Sequence, residues 1–349
     1  MIRTVRLPEP DLRVGVIGAG YWGPNLVRNL SEAPGGVPVA VADFSPERLA
    51  SVAKRFPAVR TTLEHRDLLE DPAIDAVCIV TPISTHRSLA EEALAAGKHV
   101  FIEKPLAGSV ADGEAIVRAA ERAGRTLMVG HTFVYNPAVT TVREVIERGE
   151  LGSIQYVDSQ RVNLGLHQFD FNVLWDLGPH DVSIILYWLD EEPQWIQCVG
   201  GCYAQDDIED VVFLTMGFPS GALAHAHLSW LAPSKLRRMA VVGARKMAVY
   251  DDMQPAEKVK LYDHGVESLS LDELRRSYRA GDIHSPRVAV TEALQLEVRH
   301  FIECVRSGRR PRSDGTAGLR VVRVLEGAMR SLRSGGSRVP YAEPVASRA

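Results

Sequence analysis

The run Val14-Gly15-Val16-Ile17-Gly18-Ala19-Gly20-Tyr21-Trp22-Gly23 places three glycines at the spacing G-x-G-x-x-G, directly after a β-branched stretch and ahead of a helix-period one. At that spacing Gly18 permits a tight turn, Gly20 lets the backbone approach a pyrophosphate, and Gly23 allows the helix to pack close to the strand. The free N–H groups and positive dipole end of that helix then meet the phosphates, with Tyr21 and Trp22 in the same loop. At the end of the next β-branched run stands Asp43, whose carboxylate suits the hydroxyls of an adenosine ribose. An acidic group there repels a 2′-phosphate, so the pattern favours NAD over NADP. Arg48 lies too far along to reverse that preference.

A second set of chemical residues gathers at two further strand ends. Thr81-Pro82-Ile83-Ser84-Thr85-His86 follows the run Ala76 to Val80, and Glu103-Lys104-Pro105 follows the run His99 to Ile102. In a parallel sheet both lie at the C-terminal edge, where the nicotinamide end of a dinucleotide points. Lys104 is therefore expected beside the reactive ring, with Thr81, Pro82, His86 and Glu103 around the cofactor. His225 and His227 alternate on one strand face with no third ligand evident, which reads as a packing pair; no metal site is expected.

These positions require a parallel sheet, and the chain supplies one. Short β-branched runs (Arg13 to Ile17, Val37 to Ala42, Ala76 to Val80, His99 to Ile102, Thr126 to Val129) alternate with amphipathic segments such as Thr85 to Ala96 and Val110 to Ala123. Gly97 and Gly124 follow those two segments as helix caps would. The pattern predicts a doubly wound α/β dinucleotide-binding domain over residues 1–131. After Asn136-Pro137 the grammar changes to helix (Ala138 to Arg148), strand (Ile154 to Val162), helix to Leu189, and then several strands in succession. Strands that follow one another without helices pair antiparallel, so residues 132–340 read as an α+β domain with an open, largely antiparallel sheet. Helical period returns over 291–306 and 318–333, and the chain from Ser334, including the tail 341–349, reads as irregular.

Composition narrows the partners. With 40 basic and 44 acidic residues the net charge is −4, and no basic face is concentrated enough for a nucleic acid or an anionic membrane. Four scattered cysteines (Cys78, Cys198, Cys202, Cys304) make no disulfide framework, and neither a leader-type apolar region nor a run of ~18 apolar residues is seen, so the cytoplasm is the expected compartment.

The glycine fingerprint, Thr81-Pro82 with His86, Glu103-Lys104-Pro105 and Gly130-His131 together resemble the Gfo/Idh/MocA family of sugar and inositol oxidoreductases, over nearly the whole chain. The resemblance implies an N-terminal Rossmann domain, an open-sheet C-terminal domain that mediates dimers or tetramers, and a catalytic lysine at Lys104. It also implies two polar residues on a helix of the second domain. The matching segment is Trp175-Asp176-Leu177-Gly178-Pro179-His180-Asp181, in which Asp176 and His180 stand at i, i+4 with Asn172 one turn earlier. Oxidising an alcohol requires a proton to leave the hydroxyl, which suits His180 as general acid/base, Lys104 as the cation that stabilises the alkoxide, and Asp176 as the group that orients them. The reverse assignment, with Lys104 as the base, stays open on sequence grounds.

Gly20-Tyr21-Trp22-Gly23-Pro24-Asn25, Tyr135-Asn136-Pro137, Gln160 to Gly165 and the Asp176 segment are similar to bacterial nucleotide-sugar 3-dehydrogenases of the UDP-N-acetylglucosaminuronate type. The likeness implies a small-molecule sugar substrate, nucleotide-linked, oxidised at C3 ahead of transamination in amino-sugar biosynthesis. Arg161, Asn163, Tyr135 and Asn172 are the expected substrate contacts. Lys235, Arg237 and Arg238 are candidates for a diphosphate by charge alone. An inositol, cyclitol or free-sugar dehydrogenase, an NDP-hexose 3-ketoreductase and a non-enzymatic NAD-binding regulator are the alternatives.

Overall fold

The computed structural model describes residues 11–165, 171–267 and 277–342, which form two compact units. In the first, a six-stranded parallel sheet runs in the order β3-β2-β1-β4-β5-β6. Its strands are β1 (Leu12–Ile17), β2 (Gly36–Ala42), β3 (Arg60–Thr62), β4 (Ala76–Ile79), β5 (His99–Glu103) and β6 (Leu127–Gly130). The crossovers are α1 (Gly23–Glu32), α2 (Pro46–Arg55), the single turn α3 (Arg66–Leu69), α4 (His86–Ala95) and α5 (Val110–Ala123). Val14, Val16, Val77, Ile79, Val100 and Ile102 are wholly buried, as strands covered on both faces must be. Ser109 caps α5 by accepting the Asp112 N–H at 3.1 Å, and Gly124 ends it in the left-handed conformation (φ 58°), as its position in the sequence predicts. β3 is not evident in the sequence because three residues, Arg60-Thr61-Thr62, carry no readable alternation.

The second unit contains α6 (Pro137–Glu147), β7 (Ile154–Leu164), α7 (Val173–Leu189), β8 (Trp195–Gly201), β9 (Val211–Gly217), β10 (Leu223–Ser229), β11 (Leu231–Gly243), β12 (Met247–Asp251), β13 (Val259–Glu267) and β14 (Ser277–His284). Farther along come α8 (Ala293–Ser307), α9 (Gly315–Arg333) and β15 (Val339–Pro340). The nine strands run β14-β13-β12-β11-β7-β10-β9-β8-β15. The described pairs are antiparallel except one: β7 and β10 run parallel at the centre of the sheet. Asn172 to Leu189 and two further strands intervene between them, so the chain has length enough for a crossover. One face packs Val157, Leu214, Met216 and Val241 with Ile184, Ile185 and Trp188 of α7, while Tyr156, Phe213 and Leu223 stay exposed on the other.

Three sequence expectations change. The stretch beyond Ser334 is not wholly irregular, because Val339 pairs with Ile196 in β8. β13 and β14 extend the sheet unannounced, their alternation interrupted by Asp263, His264 and Gly265. The boundary is also not a single cut near residue 131: residues 292–319, α8 included, belong to the first unit. The apolar stripe Leu294, Val298, Phe301 and Ile302 of α8 is buried, Phe301 packs edge-on against Phe101 at 5.7 Å, and a Cβ on Gly36 would fall 2.5 Å from Ile302 Cδ1. A helix that returns after 160 residues to cover α1 and β2 shows its apolar stripe in the sequence but not its destination.

Candidate active site

The glycine loop of the first unit fits a dinucleotide. Gly18 has φ +104°, and a Cβ there would meet the Val80 carbonyl oxygen at 2.4 Å; one on Gly23 would lie 2.2 Å from the Gly18 carbonyl oxygen. Neither position tolerates a side chain without moving backbone. Gly20 faces open space, with nothing within 4 Å of its missing Cβ, which is the approach a pyrophosphate needs. Trp22 stands at the α1 N-cap without a side-chain cap, leaving the helix end to accept an anion. Tyr21 and Trp22 pack edge-on at 5.6 Å and are both exposed beside the loop.

Asp43 is buried at the end of β2. Its Oδ2 accepts the Ala19 N–H at 2.6 Å and its Oδ1 the Ser45 N–H at 2.8 Å, so this carboxylate also holds the glycine loop to the neighbouring strand end. Carboxylate oxygens keep further acceptor capacity for ribose hydroxyls. Arg48 is not remote: because Ser45 caps α2 by accepting the Arg48 N–H, residue 48 sits in the first turn, with its guanidinium 3.7 Å from Asp43 and over the Phe44 ring.

His86 is committed to backbone carbonyls on both sides of its ring. Its ring is 1% exposed, with Nδ1 3.0 Å from the Pro105 carbonyl oxygen and Nε2 3.0 Å from that of Thr81. It clamps the Thr81-Pro82 turn to the Glu103-Lys104-Pro105 loop, and Thr81 Oγ1 pairs with Thr85 Oγ1 at 2.7 Å within that turn. Burial pushes the imidazole below its usual pKa, against the backbone of Thr81, Pro105 and Leu106, which favours the protonated ring. The Lys104–Pro105 peptide is cis. Glu103 is buried and turned inward, its Oε2 accepting the Lys104 backbone N–H at 3.0 Å; it shapes the loop that presents Lys104 and is not placed on the surface as a cofactor ligand. Burial pushes its carboxyl up to about 7, with the Lys104 cation and that N–H pulling the other way.

In the second unit, α7 carries Asp176 and His180 one turn apart. Asp176 Oδ2 accepts the indole N–H of buried Trp230 at 3.1 Å, and His180 meets the Phe133 ring edge-on at 5.0 Å. Asn172 does not continue that polar face: it is the N-cap, accepting the Trp175 N–H at 3.3 Å and donating to Glu209 at 2.7 Å. Arg161 is also committed elsewhere. Its Nε and Nη2 donate to Asp181 Oδ1 at 2.9 and 2.8 Å, its plane covers Phe133 at 4.4 Å, and both partners of the ion pair are buried. Asn163, two residues along β7, is partly exposed, and Tyr135 is buried. Of the candidates for a diphosphate, Arg237 lies 3.6 Å from Asp252 and 5.8 Å from the Phe133 ring centroid.

The sequence reading misses Phe133, Asp181 and Trp230 in this unit. Asp181 directly follows His180, yet only the fold shows that it faces Arg161; Phe133 and Trp230 look like any core aromatic until their neighbours are known. His225 and His227 lie along Phe213, whose ring stacks on His227 at 4.5 Å, and among the described residues no cluster of three or more His, Cys, Asp or Glu is arranged to hold a metal ion.

Residues 12–131 match a model described as an oxidoreductase family with an NAD-binding Rossmann fold, and residues 139–249 match the GFO/IDH/MocA C-terminal domain. The chain is similar to the UDP-N-acetylglucosamine 3-dehydrogenase of Acidithiobacillus ferrooxidans, 28% identical over 321 residues, covering 89% of this chain and 94% of that protein. It is also similar to the NAD-dependent scyllo-inositol 2-dehydrogenase of Bacillus subtilis, 27% identical over 315 residues, covering 87% and 89%. Among solved structures it resembles an oxidoreductase from Magnetospirillum magnetotacticum, with a TM-score of 0.79, 32% identity, and coverage of 91% and 99%.

Proposed function

Since the chain belongs to the Gfo/Idh/MocA oxidoreductases and is an NAD-dependent enzyme of the sugar and polyol dehydrogenase kind, we propose that it oxidises the C3 hydroxyl of a nucleotide-linked sugar to the ketone, ahead of transamination in amino-sugar biosynthesis. The observation that carries this reading is the full-length similarity to a UDP-N-acetylglucosamine 3-dehydrogenase.

NAD, bound through Gly18, Gly20, Gly23, Asp43 and the α1 N-terminus with Tyr21, Trp22, Thr81 and Pro82 beside it, supplies the hydride acceptor. Lys104 holds the substrate hydroxyl and stabilises the negative charge that develops on its oxygen. His180 takes the proton, a role for which an imidazole is suited near neutral pH. Asp176, fixed by the Trp230 indole, holds a sugar hydroxyl and keeps its carboxylate from wandering. Asn163 and Tyr135 contact the sugar. Arg161 and Asn172 act one step back, Arg161 by anchoring Phe133 and Asp181 and Asn172 by starting α7. Exposed Tyr156, Phe213 and Leu223 on the open face of the nine-stranded sheet support a homodimer or homotetramer built on that face.

The test is incubation with NAD and a panel of UDP-sugars, free sugars and inositols, following NADH absorbance. Turnover of a UDP-sugar with a 3-keto product is the expected result. Good turnover of a cyclitol with none of any nucleotide sugar would overturn the substrate assignment and favour the inositol dehydrogenase reading, which the commitment of Arg237 to Asp252 would suit.

A further inference from the structure

The first unit holds a cluster of buried ionisable groups that the reaction as described leaves idle. Glu103 ends β5 in register with Gly130, and a Cβ on Gly130 would fall 3.1 Å from Glu103 Oε1. The next residue, His131, is 2% exposed, and Thr132 after it donates from Oγ1 to Glu297 Oε2 at 2.8 Å. Glu297 comes from the buried face of α8 and is completely enclosed. Three consecutive residues thus run between two buried carboxyl groups. Glu103 Oε1, Glu297 Oε1 and both ring nitrogens of His131 have no hydrogen-bond partner among the described residues.

Buried polar atoms are nearly always satisfied by protein or by an ordered water with two to four partners. Four such atoms gathered around one three-residue segment call for a small polar guest. Two carboxylates enclosed together also cannot both stay ionised. Of the two, Glu103 has the Lys104 cation and a backbone N–H beside it, whereas Glu297 has, among the described residues, a hydroxyl donor and the neighbouring carboxylate.

We infer that Glu103, His131 and Glu297 enclose ordered water, that Glu297 carries a proton on Oε1, and that Glu297 is a positioning residue. It leaves Glu103, once ionised, as the negative group behind the loop that presents Lys104. The inference rests on the reading of Lys104 as the cation of the reaction.

The remaining groups facing the cluster agree with this state. Burial and the Glu103 charge hold Glu297 well above the usual carboxyl range, and burial with the Lys104 cation pushes His131 down to about 3, so its ring is neutral. Cys78 of β4 is fully buried beside both carboxyl groups and its thiol is pushed upward, so it adds no charge. With the ring neutral, one nitrogen donates and one accepts. One water then links the Glu297 hydroxyl, one ring nitrogen and Glu103 Oε1, and a second water on the other ring nitrogen gives each orphan a partner.

The test joins infrared spectroscopy with kinetics. The wild-type protein at pH 9, where Glu103 is ionised, should show a carbonyl stretch of a protonated, water-shielded carboxyl, and Glu297→Gln at the same pH should remove it. In NAD-dependent oxidation, Glu297→Met should lower kcat about tenfold and displace the pH profile of kcat while the KM for NAD holds; Glu297→Gln, which keeps the neutral hydrogen-bonding shape, should restore most of the lost rate. Persistence of the infrared band in Glu297→Gln, or a wild-type pH profile in Glu297→Met, overturns the proposal. Failure of the underlying reading is distinguishable: it is full turnover in Lys104→Ala, which leaves the infrared result unaffected.

Discussion

Replacing Asp181 by alanine separates a structural Arg161 from a substrate-binding one. The Arg161–Asp181 pair is 3% and 1% exposed on its side chains, with two N–H groups on one carboxylate oxygen at 2.8–2.9 Å. A guanidinium keeps its charge under nearly all conditions, so the variant leaves a buried, uncompensated cation. Removing one partner of such a pair costs about 3–5 kcal/mol, and the cation–π attraction of the Phe133 face beneath Arg161 is present in both proteins and so does not offset it. At roughly 2–4 °C per kcal/mol for a unit of this size, the melting temperature should fall by about 6–20 °C. The double variant Arg161→Met/Asp181→Leu should recover most of that loss, because apolar pairs of similar volume replace buried ion pairs at little cost. Unfolding followed by tryptophan fluorescence reports on this unit through buried Trp188 and Trp230. A melting temperature unchanged in Asp181→Ala, together with a steep rise in the KM of the sugar, would refute the reasoning and return Arg161 to the substrate.

Lys104→Ala and His180→Ala should each lower kcat by about 10²–10⁴-fold while NADH binding, read by fluorescence titration, stays near wild type. Loss of cofactor affinity in both would mean that they hold the dinucleotide. Asp43→Ser should weaken NAD and narrow its advantage over NADP, since it removes the anchor of the Ala19 N–H and frees the Arg48 guanidinium for a 2′-phosphate; kcat/KM with the two cofactors measures it. Glu103 sits near 7 in the folded protein against an ordinary carboxyl when unfolded, so the folded state binds the extra proton and stability declines as pH rises from about 4.5 to about 7. Glu103→Gln should remove roughly 3 kcal/mol of that decline, seen as a difference between urea unfolding at pH 5 and pH 8; parallel profiles for the two proteins would contradict it.

The parts of the fold that were legible share one property: their signal is local. Gly18 and Gly23 are glycines because backbone carbonyls crowd their Cβ positions, and that requirement is written at fixed spacing in the chain. Helix α5 announces its end at Gly124, and Asn136-Pro137 marks the change of pattern ahead of α6. What the sequence hides depends on partners far along the chain. Arg161 reads as a substrate ligand until Asp181 is seen beneath it. Glu297 reads as one more charged position on an amphipathic helix until its burial is known. His86 was legible as the end of the Thr81 turn and not as a clamp, because the carbonyls it joins, those of Thr81 and Pro105, show no side-chain identity.

The return of residues 292–319 to the first unit has a consequence for the order in which the protein is made. At translation rates of about 5–20 residues per second, the roughly 160 residues between Thr132 and Glu292 emerge over about 8–32 s. Through that interval the nascent dinucleotide domain has all its strands and no α8. Phe101 lacks Phe301, the Gly36 edge lacks Ile302, and Thr132 lacks the Glu297 carboxyl. The glycine loop is thus among the first parts synthesised, while the polar cluster behind the Lys104 loop waits for one of the last helices to leave the ribosome. Cofactor recognition and the setting of the lysine are thereby separated in time during biosynthesis.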